Sequence, residues 1–249
     1  MLFFCLTLFV LLGAGYLLLY FFHLKGLIGF IIVLFLGVMA FLIHDYIMFR
    51  KEKDIIGRYS STLDFAKGQE ELEDLLKHSL PRHLYQEGLI NIYICLLYSG
   101  RVKEAADYRF EYLPEDKMFR SYKKSRLYYS FLKDEALISG NKTLFLDYDK
   151  EEREQWHLSE EDGLKEKQEA LFCFSLNEGF IDKDLEEEVL SYLEEDAKTS
   201  KLDALYLRYI KLQIAFLRHQ DTSDYPSLLQ DSEGTFIHKK ALSLKNKTD

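Results

Sequence analysis

The chain has 249 residues, of which 48% are hydrophobic and 29% charged, and its formal net charge is −9 at pH 7. Residues 1–49 contain one lysine and one aspartate, Lys25 and Asp45, so the whole negative charge belongs to residues 50–249. This acidic balance argues against nucleic-acid binding, because that binding depends on neutralising phosphates with Lys and Arg.

Two uncharged apolar runs open the chain. The first is Met1 to Phe22, and the second, Leu27 to Ile43, follows the short break HLKG. As helices they would span roughly 30 Å and roughly 25 Å, close to the thickness of a bilayer core. The sequence therefore predicts a transmembrane helical hairpin over residues 1–49. A cleaved signal peptide is the alternative for the first run, but it lacks both a basic start and a small-residue cleavage site.

The basic residues that flank these runs predict the orientation. The break holds only Lys25, whereas Arg50, Lys51, Lys53 and Arg58 follow the second run. Because positive flanks stay on the cytoplasmic side, we expect a two-span protein of the cell membrane with both termini in the cytoplasm.

Residues 50–231 show helical periodicity interrupted at regular intervals. Breaks occur at SGR (Ser99–Arg101), at SGN (Ser139–Asn141), around Gly179 and around Gln220, spaced by 40, 39 and 41 residues, with an earlier break at KGQ around Gly68. Glycine ends a helix readily because it adopts the left-handed conformation. Ser159 with Asp162, and Ser200 with Asp203, are typical of helix starts. The pattern predicts an all-α domain of successive helical hairpins.

One hairpin resembles the tetratricopeptide family. In LLYSGRVKEAADYRFEYLP, the turn Gly100 is followed by Val102 and Ala105, as in that family. Where the family has a small residue seven positions before the turn, this chain has Tyr93, Lys133 and Phe172. The resemblance implies an α-solenoid of stacked hairpins with a concave groove lined by the first helix of each pair, here with a period near 40.

A basic and aromatic cluster, MFRSYKKSRLYY, lies on the first helix of the second hairpin. We expect Arg120, Lys123, Lys124 and Tyr128 to bind a partner. Lys and Arg form charge-assisted hydrogen bonds with carboxylates, and tyrosine side chains provide a rigid contact surface. The alternative is that these cations pair within the chain, with the acidic runs of the neighbouring hairpin.

The sequence predicts no catalytic residue, metal site or cofactor, because HExxH, GxSxG, GxxxxGK[ST] and GxGxxG motifs are absent. Cys95 and Cys173 lie among apolar residues without a CxxC pattern and are expected to be buried thiols. The polar segment 232–249 is expected to be a mobile tail.

These observations favour a membrane-anchored scaffold or adaptor for protein–protein interaction, which binds a protein or peptide. Another membrane protein is among the candidate partners. The alternative is an accessory subunit of a membrane transport or envelope complex that contacts its partner through the transmembrane helices. A membrane enzyme with an unrecognised site is a third hypothesis.

Overall fold

The computed structural model describes residues 13, 16, 20, 27–78, 82–118, 121–159 and 161–245. Within these residues the structure is helical and contains no strand, which confirms the all-α prediction. The helices are α1 Leu27–Thr62, α2 Phe65–His78, α3 Arg82–Tyr98, α4 Val102–Tyr112, α5 Glu115–Met118, α6 Tyr122–Ser139, α7 Lys142–Trp156, α8 Leu164–Asn177, α9 Lys183–Asp196, α10 Lys201–Leu217, α11 Tyr225–Asp231 and α12 Phe236–Lys245.

Helix α1 is long and apolar enough to cross a membrane. A window of 18 residues within Ile31–Thr62 has a mean hydropathy of 2.3. Of the first predicted span, Gly13, Tyr16 and Tyr20 are described and are helical, and its other residues lie outside the described part of the chain. The prediction of a membrane-spanning helix over the second apolar run is therefore supported by length and composition, and the second span stays a prediction.

By its internal contacts the chain divides into two compact units, residues 1–57 with 69–92 and residues 58–68 with 93–249. We call them the N-terminal unit and the repeat unit. The change in composition predicts a boundary at residue 49, whereas α1 continues without interruption to Thr62. The charged residues that begin at Arg50 are good helix formers, so the change from apolar to polar composition does not end the helix.

In the N-terminal unit, one face of α1 is buried. Its members recur mainly at four-residue steps and are Ala40, His44, Met48, Glu52 and Ile55. Asn91 Nδ2 donates to Glu52 Oε1 at 3.0 Å, so this buried carboxylate has a hydrogen-bond partner on α3. Gly88 permits close packing of α3 on α2, because a Cβ there would lie 2.5 Å from Leu76 Cδ2.

In the repeat unit, the hairpin turns lie where the glycine spacing predicts them. Gly100, Gly140 and Gly179 have φ of 74°, 77° and 91°, and His219, next to the expected Gln220, has φ of 55°. Each turn closes with the same pair of bonds, exemplified by Arg101 N–H to Leu96 O and Gly100 N–H to Leu97 O. This is the hydrogen-bond pattern of a Schellman motif, which satisfies carbonyls at the end of a helix.

Two expected helix boundaries are wrong. Gly68 lies inside α2, and the chain turns instead at Leu63, which has φ of 63°. Glycine is needed at 68 for packing, since a Cβ there would lie 2.7 Å from Tyr59 Cδ1. Helix α8 begins at Leu164 rather than near Ser159, whose N–H and hydroxyl both donate to Asp162 Oδ2 in a turn before the helix. The predicted start at Ser200 is confirmed by its cap on the N–H of Asp203.

Successive hairpins of the repeat unit pack through their first helices, because α6 contacts α8 and α8 contacts α10. A core between them contains Ala136, Phe145, Ala170 and Phe174. Ala105 and Phe145, each five residues after a turn glycine, are almost fully buried, so these positions have the same role in two hairpins.

The segment expected to be a mobile tail differs from that prediction, because residues 236–245 form helix α12. Ile237, Ala241 and Leu244 are buried along one face of this helix, and α12 packs on α10 and α11. Four apolar residues at helical spacing, beginning with Phe236, bury enough surface to hold an otherwise polar segment in place.

Candidate functional site

The structure places the predicted partner-binding residues in different environments. Arg120 lies outside the described residues. Lys123 is exposed on α6, and Lys124 is partly buried near the start of that helix, where its N–H donates to Ser121 Oγ. Tyr128 is buried, so it does not offer an open contact surface.

Tyr128 belongs to a buried polar network that links α3, α4 and α6. Its hydroxyl accepts from Arg109 Nη1 at 2.9 Å, and the guanidinium also makes two bonds to Glu135, at 2.8 Å and 3.1 Å. The hydroxyl of Tyr93 donates to Glu135 Oε1 at 2.9 Å. Burial by itself would lower the pKa of Arg109, but the hydrogen bond and charge of Glu135 outweigh it and raise the pKa. The network is a structural connection between hairpins, since all its charges are paired internally.

A cleft of about 500 Å³ lies beside Lys123. Its lining comes from α6, α7 and α8 and consists of Lys123, Arg126, Leu127, Ser130, Lys133, Glu152 and Glu166. We call it the α6 cleft. Lys133 Nζ lies 2.8 Å from Glu166 Oε2 and 3.0 Å from Glu152 Oε2, and Arg126 Nε lies 3.6 Å from Glu152 Oε1. Burial favours a lower pKa for Lys133, yet the two carboxylates raise it.

The internal-pairing alternative therefore describes part of the basic cluster. Glu152 takes Lys133 and Arg126 as partners, so these cations are engaged within the repeat unit. Glu152 lies on the second helix of the same hairpin, however, and not on the neighbouring hairpin as expected. The side chain of Arg126 is nevertheless 50% exposed, and Lys123 is exposed, so positive charge remains accessible at the edge of the cleft.

A second, smaller cavity of about 130 Å³ was not anticipated from the sequence. Its lining comes from α3, α6, α8, α10 and α12 and consists of Tyr98, Asp134, Leu137, Ile138, Glu169, Leu202, Asp203, Tyr206, Phe236 and Lys240. We call it the acidic cavity. Its carboxylates lie on the first helices of three hairpins and are spaced 35 and 34 residues apart. That recurrence is a usable signal in the sequence, but the longer runs of acidic residues obscure single carboxylates at hairpin spacing.

Burial raises the pKa of both Asp134 and Glu169 to about 7. The charges of Glu166 near Asp134, and of Asp196 near Glu169, raise these pKa values further. Burial also raises the pKa of Asp203, and a hydrogen bond with Ser200 opposes that rise. Perturbed carboxylates that line a cavity are typical of sites that bind or transfer charge.

The thiols are buried, as expected. Cys95 and Cys173 are free and have 0% and 3% exposure, and burial raises the pKa of each to about 12. Such thiols are poor nucleophiles and poor metal ligands at neutral pH. Among the described residues, no three His, Cys, Asp or Glu side chains are close enough together to hold a metal ion.

No family model, curated protein or solved structure matches this chain.

Proposed function

We propose that the chain is a membrane-anchored scaffold for protein–protein interaction, with a tetratricopeptide-like solenoid held at the cytoplasmic face. The observation that carries this proposal is the exposed apolar surface of α1. Ten large apolar side chains between residues 31 and 49 are at least 37% exposed, among them Phe35 at 61% and Tyr46 at 60%. A patch of this kind is rare on a soluble monomer and suits contact with lipid.

The residues that follow this surface support an interfacial position for the cytoplasmic end. Arg50 lies 5.9 Å from the ring centre of Tyr46, and Lys53 lies 5.3 Å from that of Phe49. Aromatic rings and cations together favour the headgroup region, and the cations favour the cytoplasmic leaflet. The proposal keeps a first span over residues 1–22, which places both termini in the cytoplasm.

The α6 cleft is the proposed contact site for a partner. Its rim offers Lys123 and Arg126, and its floor is held in place by the buried pairs of Lys133. A carboxylate of an acidic peptide can bind Lys123 and compete with Glu152 for Arg126, which lies 3.6 Å away and is half exposed. Tethering to the membrane would raise the effective concentration of such a peptide without added contacts.

A second candidate function, an accessory subunit that binds through its membrane helix, is favoured by Gly37. Nothing lies within 4 Å of the position that a Cβ would take there, and Leu34 and Phe41 beside it are exposed. Small residues on an open helix face allow a second membrane helix to approach closely.

One experiment separates the two functions. The tagged full-length chain is recovered from detergent-solubilised native membranes as wild type, as Lys123→Ala/Arg126→Ala, and as Gly37→Leu, and the co-purifying proteins are quantified. The matched control is Lys103→Ala/Lys150→Ala, which removes two exposed cations elsewhere.

The scaffold proposal expects the cleft variant to lose a partner at least tenfold, since two charge-assisted contacts are worth about 1.5–3 kcal/mol each and tenfold is about 1.4 kcal/mol. Loss with Gly37→Leu alone would instead favour the accessory subunit. Equal recovery with the cleft variant, the control and the wild type would contradict the scaffold proposal.

Topology is tested separately by labelling engineered cysteines in intact cells. Cysteine at position 61 should react only after the membrane is opened, and cysteine at position 25 should react from outside. The opposite pattern would overturn the proposed orientation.

A further inference from the structure

The acidic cavity contains carboxylates that lack a partner. Asp134 and Glu169 line it from α6 and α8, and within the described part of the chain neither carboxylate makes a hydrogen bond or an ion pair. Charged groups in such surroundings are normally paired, because desolvation of an unpaired charge is costly. Their pKa values near 7 reflect this cost.

The lysines around the cavity do not form ion pairs with these carboxylates. Lys133 and Lys165 partly lower the pKa values of Asp134 and Glu169 through their charge, but their own ion pairs are with Glu152, Glu166 and Asp196. Lys240 enters the same cavity from α12, but its ammonium donates to Leu137 O at 3.2 Å and lies within 4 Å of no carboxylate among the described residues. Burial lowers the pKa of Lys240, and the main opposing influence is Cys173 rather than Asp134 or Glu169. The cavity therefore brings together three carboxyl groups and a single amine.

Aromatic rings complete the wall of the cavity. The ring of Phe236 lies 6.1 Å from that of Tyr98 and 5.9 Å from that of Tyr206, so three rings from α3, α10 and α12 adjoin each other. The faces of aromatic rings attract cations, and alkyl groups gain from contact with them. Carboxylates with aromatic walls suit an organic cation.

The geometry is less suited to a metal ion. A divalent cation needs several oxygens at 2.0–2.6 Å, roughly, from one point. Asp134, Glu169 and Asp203 do not meet that requirement, since no group of three metal-binding side chains converges in the described structure. A water occupies about 30 Å³ in the liquid, so a cavity of about 130 Å³ has room for an ammonium group with part of its alkyl chain.

We propose that the acidic cavity is a binding site for a compact alkylammonium group, recognised by the carboxylates of Asp134, Glu169 and Asp203 and by the rings of Tyr98, Tyr206 and Phe236. A lysine side chain of a partner and a free small amine share this chemistry. The site is distinct from the α6 cleft, so it does not depend on the proposed function.

The test is calorimetric titration of the full-length chain in detergent at about pH 8, where the carboxylates are ionised. The probes are n-butylammonium, a short peptide with one central lysine, the same peptide with that lysine acetylated, and Mg²⁺. The variant is Asp134→Asn/Glu169→Gln. The control, Glu187→Gln/Glu195→Gln, removes two exposed carboxylates from α9 and changes the net charge equally.

The proposal expects n-butylammonium or the lysine peptide to bind the wild type and the control alike. The cavity variant should bind at least tenfold more weakly, and the acetylated peptide should not bind. Tighter binding of the peptide identifies a partner's lysine as the source, and tighter binding of the amine identifies a free ligand. Unchanged binding in the cavity variant, binding of Mg²⁺ in place of the amines, or absence of binding to the wild type would overturn the proposal.

Misfolding of the variant is detected independently. Removing two unpaired partly buried charges should raise, not lower, thermal stability at about pH 8. A variant that is more stable and yet loses amine binding has lost the site and kept the fold.

Discussion

Alanine substitutions at two equivalent turn glycines measure how firmly α12 is docked. Gly100 and Gly140 have nearly equal φ of 74° and 77°. An alanine at either position would therefore have to adopt the same left-handed conformation. That conformation costs a non-glycine residue about 1–2 kcal/mol. The surroundings differ: nothing lies within 4 Å of a Cβ at 140, whereas a Cβ at 100 would lie 2.8 Å from Lys239 Cδ and 3.1 Å from Phe236 Cα.

Gly140→Ala should therefore lower the free energy of unfolding by about 1–2 kcal/mol, the conformational cost alone. Gly100→Ala should lower it by that amount and by about 1–3 kcal/mol more, the usual cost of overpacking. The Lys239 stem can move aside, but Phe236 Cα is backbone and moves only with the helix. The bond from Lys239 Nζ to Gly100 O, at 3.1 Å, is weakened at the same time.

The assay is thermal unfolding of the full-length chain in detergent, followed by circular dichroism at the helical band. Since each kcal/mol shifts Tm by about 2–4 °C in a domain of this size, Gly100→Ala should unfold about 2–12 °C below Gly140→Ala. Lys239→Ala in the Gly100→Ala background should recover only part of the difference. Equal Tm values for the two glycine variants would show that α12 does not press on the first hairpin turn.

Three further predictions concern charge and membrane contact. Lys133→Met should lower the free energy of unfolding of the repeat unit by about 3–5 kcal/mol, because it leaves Glu152 buried without its closest cation. In denaturant unfolding, the double variant Lys133→Met/Glu152→Gln should recover at least half of that loss. Additive losses from the two substitutions would refute the pairing. The raised pKa values of Asp134 and Glu169 mean that the stability tied to their protonation is present below about pH 4 and is lost as the pH rises through about 7. The advantage of Asp134→Asn/Glu169→Gln over the wild type in free energy of unfolding should accordingly grow by several kcal/mol between about pH 5 and about pH 7 and then level off. An advantage that shrinks with rising pH would contradict the assignment. Alkaline carbonate washing should leave the full-length chain in the membrane fraction, while release into the supernatant would contradict a spanning α1.

The sequence determined the helical class and the positions of the hairpin turns. Both are local properties: apolar residues at helical spacing favour helices, and glycine at 100, 140 and 179 permits the left-handed residue that ends them. Gly68 shows the limit of this reasoning. A glycine that serves a turn and a glycine that serves close packing have the same sequence signature, and only the neighbouring Tyr59 distinguishes them.

The tertiary structure decided which charges are available to a ligand. Periodicity places Lys123, Lys133 and Tyr128 on one helix, but it cannot tell that Lys133 is buried between two carboxylates or that the hydroxyl of Tyr128 binds Arg109. Those partners lie 19 to 33 residues away along the chain. The pairing therefore depends on how the hairpins stack.

The acidic cavity and the position of α12 both depend on how the helices pack. Asp134, Glu169 and Asp203 are unremarkable as single acidic residues in the sequence, and Phe236 and Lys240 lie in a segment whose composition is that of a tail. They come together because successive first helices pack side by side and α12 folds back on them. Burial in the packed helices is the first cause of the raised pKa values of the three carboxyl groups and of the lowered pKa of Lys240, so these shifts belong to the folded chain and to no single stretch of its sequence.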